Sequence, residues 1–252
     1  LQTSPELCMK RLLAGGCRKI FQICHCFRQG EKGRLHSEEF TMLEWYHADW
    51  SYTELMQECE ELLTQVMKKG KHCSRSSNAV FISRLGKEIS FERPWNHLCV
   101  EDAFQRFCGL SASIAVQNGI FDELLVNEIE PQLGWDRPVF LYDYPVALAS
   151  LAREKAGDPA VAERFELYVG GVELANGFSE LTDPMIQRQR FMEEFIKKDT
   201  GDNPLNMPDK FLLDLKNVPD CAGIALGLDR FMMICTEEDS IAEVVSFTEN
   251  DL

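Results

Sequence analysis

Residues 165–181 read FELYVGGVELANGFSEL, and Gly170-Gly171 within them marks where the chain must reverse. Both central positions of a tight hairpin turn need a positive φ, which glycine adopts without strain, so the flanking β-rich runs predict an antiparallel strand pair. The turn predicts the pairs Val169–Val172, Tyr168–Glu173, Leu167–Leu174 and Glu166–Ala175. Alternation then puts Glu166, Tyr168, Glu173 and Ala175 on one face, and Leu167, Val169, Val172 and Leu174 on the core face. Glu166 and Glu173 become diagonal neighbours, roughly 7–8 Å apart and within reach of one ion. Glu180 completes a series spaced by seven, and carboxylates are costly to bury without partners. Simple alternation puts Asn176 on the core side, so a ligand role for it, and the placing of Glu180, require a bulge near Gly177.

Other stretches predict more strands of this kind. KIFQICHCFR alternates, with Phe21, Ile23, His25 and Phe27 on one face and Gln22, Cys24, Cys26 and Arg28 on the other. After the loop QGEKGRLHSE, a second strand sets Phe40, Met42, Glu44 and Tyr46 on one side and Thr41, Leu43 and Trp45 on the opposite side. In GIALGLDRFMMIC, Gly223, Ala225 and Gly227 share a nearly bare strand face on which a ligand can lie against backbone. Arg230 follows at the strand-to-helix junction, a natural place to hold phosphate. Ser4-Pro5-Glu6 is a helix start running to Ala14, and residues 53–69 have helical period. The 71–137 segment reads as a short strand near Ala79–Ser83 and helices near Val100–Phe107 and Phe121–Ile129. PVFLYDYP (138–145) reads as a strand and 184–198 as a helix, followed by a polar loop over 199–208. Few β-α-β alternations occur, so the expected class is α+β, an antiparallel sheet flanked by helices.

At 252 residues the chain suits one large domain or two small ones, and a single domain over 1–252 is the simpler expectation. The 71–137 region is expected to be a mainly helical insert. A net charge of −15 argues against a broad phosphate-binding surface, and hence against tRNA as a partner. Lys68, Lys69, Lys71 and Arg75 form one small basic segment. The ten cysteines include no CxxC pair and sit mostly in apolar runs, which fits reduced thiols in the cytoplasm. Cys24 and Cys26 share a strand face that His25 opposes, so the three do not converge on zinc. No apolar run is long enough for a membrane span. The chain opens LQTSPEL without a methionine, and a segment upstream of Leu1 is expected.

These blocks, in this order, resemble a known family. The FRxxE…HxxEFTMLEWY and GIALGLDR stretches are similar to the second and third signatures of class II aminoacyl-tRNA synthetases. TSPE, RFE and GVELANGFSEL resemble the lysyl branch, and PDCAGIALGLDR and YPVALASLA its short paralogue, which ligates β-lysine to elongation factor P. The paralogue resemblance rests on Ala175, Ala225 and Ala147, where lysyl-tRNA synthetases typically carry glycine, glycine and glutamate.

The resemblance implies a set of roles. Arg28 and Arg230 would be the catalytic cations on the ATP phosphates. Gln29, Gly30, Glu31, His36, Ser37, Phe40, Glu173, Leu174 and Gly227 would complete the ATP site, with adenine on Phe40. Glu166 and Glu173 would hold Mg2+. Ser4, Pro5, Glu6, Glu44, Tyr46, Glu180 and Ala225 would bind lysine or β-lysine, Glu6 near the α-side amine and Glu44, Tyr46 and Glu180 at the far ammonium. A homodimer through a first signature upstream of Leu1 is also implied. The chain departs at Gly30, which stands where the family has a glutamate that reads adenine, with Glu31 one place along; Ser37 and Glu38 replace an Asn-Pro pair. A lysyl-tRNA synthetase core, a binding protein without catalysis and a metal hydrolase using Glu166 and Glu173 are the rival readings.

Overall fold

A computed structural model of the chain describes residues 1–70, 80–197 and 206–248. Lys71, Arg75 and most of the polar loop 199–208 lie outside the described residues. Among those described, the strands are β1 (Lys19–Phe27), β2 (Glu39–Ala48), β3 (Phe81–Arg84), β4 (Lys87–Ser90), β5 (Asn96–Cys99), β6 (Val139–Pro145), β7 (Glu154–Lys155), β8 (Asp158–Val169), β9 (Val172–Ser179) and β10 (Cys221–Gly227). The helices are α1 (Glu6–Ala14), α2 (Tyr52–Lys69), α3 (Val100–Cys108), α4 (Ala112–Gln117), α5 (Phe121–Leu124), α6 (Pro184–Lys197), α7 (Asp209–Leu215) and α8 (Leu228–Cys235).

One large sheet runs β1-β2-β10-β9-β8-β6-β5, with β7 added against β8. Every pairing in it is antiparallel except β5 with β6. This is the expected α+β class. Within 71–137 the described residues are mostly helical, in α3, α4, α5 and the short turns that follow to Gln132, but they also hold the β3–β4 hairpin, and β5 joins the main sheet. Four-residue strands such as NHLC are too short to show a period, which is why only tertiary pairing reveals them.

One face of the sheet is dry. Trp45, Ile224, Leu226, Phe165, Leu167 and Leu174 share a core with Leu55, Met56, Cys59, Leu63 and Met67 of α2. That helix starts cleanly because Ser51 and Glu54 form a reciprocal capping box. A second cluster packs α3, α4 and α5 against β6. The opposite sheet face is polar over its middle strands, while α3–α5 cover its β6 end and α1 and α7 pack on Tyr46 and Cys221.

The hairpin forms at Gly170-Gly171, with φ of 56° and 76°. Val169 pairs with Val172 and Tyr168 with Glu173, as the turn requires. The register then shifts. Leu167 pairs with Ala175 and Glu166 with Asn176, correcting the Leu167–Leu174 and Glu166–Ala175 pairs expected from simple alternation. The extra residue sits around Leu174, closer to the turn than Gly177. It moves Ala175 to the core and brings Asn176, Phe178 and Glu180 to the polar face. Gly177, paired with Phe165, is needed for close approach, since a Cβ there would lie 2.6 Å from the Phe165 ring. Gly177→Ala should therefore cost about 1–3 kcal/mol by overpacking, read as a lower urea midpoint; an unchanged midpoint would mean that the ring moves aside freely.

Candidate active site

The polar face is organised by strand register. One cross-sheet row runs Gln22, Glu44, Ala225, Asn176 and Glu166; the next runs Ile20, Tyr46, Gly223, Phe178 and Arg164. A cavity of about 360 Å³ lies over these rows between the β1–β2 loop, α1 and the start of α8. Ser4, Glu6, Arg28, Glu31, His36, Ser37, Phe40, Glu44, Tyr46, Glu173, Leu174, Ala225, Gly227 and Arg230 line it, so most of the residues expected to form a site come together. Pro5, Gln29, Gly30, Glu166 and Glu180 are not in the lining.

At one end, two carboxylates hold one buried ammonium and a third, Glu44, stands near them. Lys10, fully buried on α1, lies 2.6 Å from Glu6 Oε1 and is in ion-pair contact with Glu180. Burial works against its charge, yet the Glu180 and Glu6 carboxylates hold it above the usual lysine range. Burial pushes the Glu180 carboxyl up to about 8, with Lys10 opposing and Glu6 and Glu44 adding to the rise. Its Oε1 has no hydrogen-bond partner among the described residues. A Cβ on Gly223 would lie 2.7 Å from that oxygen and 2.1 Å from the Tyr46 ring, so only glycine fits there. Glu44 is also buried; desolvation raises its carboxyl to about 7, partly opposed by hydrogen bonds from Ser4 Oγ (2.6 Å) and Tyr46 OH (3.2 Å). Tyr46 stays neutral, held far above its usual range by burial and by Glu6, Glu44 and Glu180.

At the other end lies a cationic clamp. Arg230 Nη1 donates to the Glu173 carbonyl at 2.9 Å and to Glu173 Oε2 at 3.1 Å, and its Nε donates to the Leu35 carbonyl at 3.1 Å. Its Nη2 is 2.7 Å from His36 Nε2. Burial and Arg230 lower the His36 pKa, which keeps the imidazole neutral and able to accept this bond. Arg230 is thus held rigidly at the cavity wall, with donor capacity left for a further anion. Arg28 lies 5.0 Å over the Phe40 ring and 3.6 Å from Glu31. The loop between them is pinned by Glu38, whose Oε1 accepts from the Gly30 amide at 2.6 Å, while Gly30 takes φ 82°. That geometry turns Glu31 rather than Gly30 to the cavity.

Glu166 and Glu173 lie near enough for the Glu166 charge to raise the Glu173 carboxyl, but they are held by different partners. Glu166 accepts from Tyr144 OH (2.5 Å), Tyr168 OH (2.6 Å) and Arg164 Nη2 (2.6 Å), outside the cavity lining. Glu173 faces the cavity beside Arg230, its pKa raised by burial and Glu166 and pulled down by Arg230. No group of three His, Cys, Asp or Glu side chains converges as a metal cage among the described residues. Mg2+ commonly takes one or two carboxylates and completes its shell with phosphate oxygens and water, and Glu173 fits that mode.

With this geometry in hand, comparison with known proteins is decisive. The model for class II tRNA synthetases (D, K and N) matches residues 1–251. The chain belongs to this family. It is also similar to proteins named elongation factor P--(R)-beta-lysine ligase from Salmonella typhi, Salmonella gallinarum and Salmonella dublin. Each is 40% identical over 251 residues, covering 98% of this chain and 77% of the relative.

Among the residues of the site not assigned from sequence, three bear on its chemistry. Asn176 and Phe178 reach the cavity through the bulge, which no periodicity announces. Lys10 was legible in principle, because Glu6 and Lys10 stand at i and i+4 on α1. Removing one partner of a buried pair leaves an uncompensated charge, so Lys10→Met should destabilise by about 3–5 kcal/mol above pH 8. The double variant Lys10→Met/Glu180→Gln should recover much of that in urea unfolding; equal loss in both would show that Lys10 acts by packing alone.

Proposed function

We propose that the chain activates lysine or β-lysine with ATP as an aminoacyl adenylate and transfers it to a lysine side chain of elongation factor P. The observation that carries the amino-acid choice is charge balance. Glu6 and Glu180 hold the resident ammonium of Lys10 and Glu44 stands beside them, so once all three carboxylates ionise, two negative charges remain for a substrate with two ammonium groups. A neutral or acidic side chain would leave buried carboxylates unpaired. The acceptor follows from the relatives' name, and the net charge of −15 disfavours tRNA, the acceptor of the lysyl-tRNA synthetase alternative.

In the first step the amino-acid carboxylate attacks the α-phosphate of ATP, an O–P bond forms and pyrophosphate leaves. In the second, the acceptor amine attacks the adenylate carbonyl; the new C–N bond forms, AMP departs with the C–O electron pair and the amine gives up a proton. No enzyme nucleophile takes part. Arg28 and Arg230 neutralise phosphate charge, Asn176 positions the carboxylate, Phe40 stacks adenine, and Glu31 takes the adenine-reading role left open at Gly30. Mg2+ held through Glu173 and the phosphates would supply further charge neutralisation. Ala225 stands between Glu44 and Asn176 in the row, so its methyl meets the substrate near the α and β carbons. The same reading includes a cytoplasmic homodimer.

ATP–pyrophosphate exchange with lysine and with β-lysine, followed by transfer to tRNA and to elongation factor P, tests this reading. Exchange with both amino acids and label only on the protein is the expected result; label on tRNA but never on protein overturns it. Ala225→Gly should shift preference toward α-lysine, within the 1–3 kcal/mol or so that one methyl supplies.

The pH dependence has a definite sign. An ammonium needs ionised carboxylates, whereas burial keeps Glu44 and Glu180 partly protonated up to about 7 and about 8. Binding therefore releases protons, and the KM for lysine in exchange should fall as pH rises from 6 to 8, by up to about tenfold per unit, then level off. A KM that is flat or rises over this range would contradict the protonation states assigned to these two groups.

A further inference from the structure

A second cavity, of about 480 Å³, opens beside the first between β6, β8 and α6. The two meet at Arg164, which lines the second and donates from Nε to Asn176 Oδ1 (3.3 Å) in the first. Its cations are already spent on the protein itself. Arg164 holds Glu166 and the Leu148 carbonyl, and Arg190 holds the carbonyls of Ser150 and Ala152. At the rim, Asp122 and Glu194 are exposed and make no ion pair among the described residues. Phe121, Leu148 and Phe191 give the walls apolar surface. Gln187 also lines the cavity; it is 1% exposed, and neither its Nε2 nor its Oε1 has a hydrogen-bond partner among the described residues. A buried amide with both ends unsatisfied costs free energy unless a ligand completes it.

We propose that this second cavity is the acceptor compartment, taking the lysine side chain presented by an exposed loop of the protein acceptor. Rim carboxylates draw in its ammonium, the apolar walls cover its methylenes, and Gln187 accepts a hydrogen bond from the amine on its way to the Arg164–Asn176 boundary. Desolvation along that path favours the neutral amine, the form that attacks a carbonyl. The rim carboxylates repel a phosphate backbone and the cations, already paired within the protein, offer it little, so a tRNA end is the wrong occupant. This inference rests on the ligase reading above and adds the place where its second substrate binds.

The test separates the two half-reactions in the full chain, using Gln187→Leu and, at the exposed mouth, Ala147→Trp. Lysine-dependent ATP–pyrophosphate exchange should stay within twofold of wild type. Discharge of the adenylate by hydroxylamine, a small amine that needs no docking, should also stay within twofold. Transfer to elongation factor P should fall at least tenfold in kcat/KM in both variants. Unchanged transfer, or equal loss of exchange and transfer in both, would overturn the acceptor compartment while leaving the ligase reading intact. Transfer to tRNA blocked by Ala147→Trp with transfer to protein unaffected would assign the cavity to RNA instead and overturn it too. Absence of exchange in the wild type would remove the ligase reading, and this inference with it.

Discussion

Placing carboxylates on a sheet face that must also be covered is the constraint on which the site depends. Each glutamate of the hairpin series meets this need with its own cation: Glu166 with Arg164, Glu173 with Arg230 and Glu180 with Lys10. The three cations come from three different elements, β8, α8 and α1, so meeting the electrostatic demand of one hairpin also ties the sheet to its helices. A carboxylate left without its cation would cost several kcal/mol, comparable to much of the stability of a typical domain.

The compensation is deliberately incomplete at one end. Around Tyr46, the Glu6, Glu44 and Glu180 carboxylates share one ammonium, and among the described residues Glu180 Oε1 has no hydrogen-bond partner beneath Gly223. Burial answers the excess by raising the Glu44 and Glu180 carboxyls toward neutrality. Such a site is held ready for cations at a modest proton cost, because an ill-matched ligand leaves buried carboxylates unpaired. At the other end the charge is reversed, with Arg28 and Arg230 presented on a rigid wall. The two ends of one cavity thus carry opposite charge, with Ala225 and Asn176 at the join.

Much of this was legible in the letters. The faces of β1, β2 and β10 follow from strict alternation, and Gly170-Gly171 placed the turn, because a period of two and a positive φ are local properties of the chain. The bulge around Leu174 was not legible in its place, since one extra residue in a strand has no compositional signature and is decided by how Gly177 seats against Phe165 and Ile224. Of the strands within 71–137, the expected one near Ala79–Ser83 overlaps β3, whereas β4 and β5 were hidden because short segments pair only when a neighbour is offered.

By itself the sequence determined the family, the antiparallel sheet and which side chains of β1, β2 and β10 share the polar face, because periodicity, turn chemistry and ordered motifs are encoded locally. Only the tertiary structure decided that Glu166 is bound by Arg164, Tyr144 and Tyr168 rather than turned to the cavity, that Lys10 balances Glu6 and Glu180, and that Asn176 rather than Ala175 opposes Glu166. Those outcomes depend on register and on which cation arrives from a distant element, and long-range packing alone sets both.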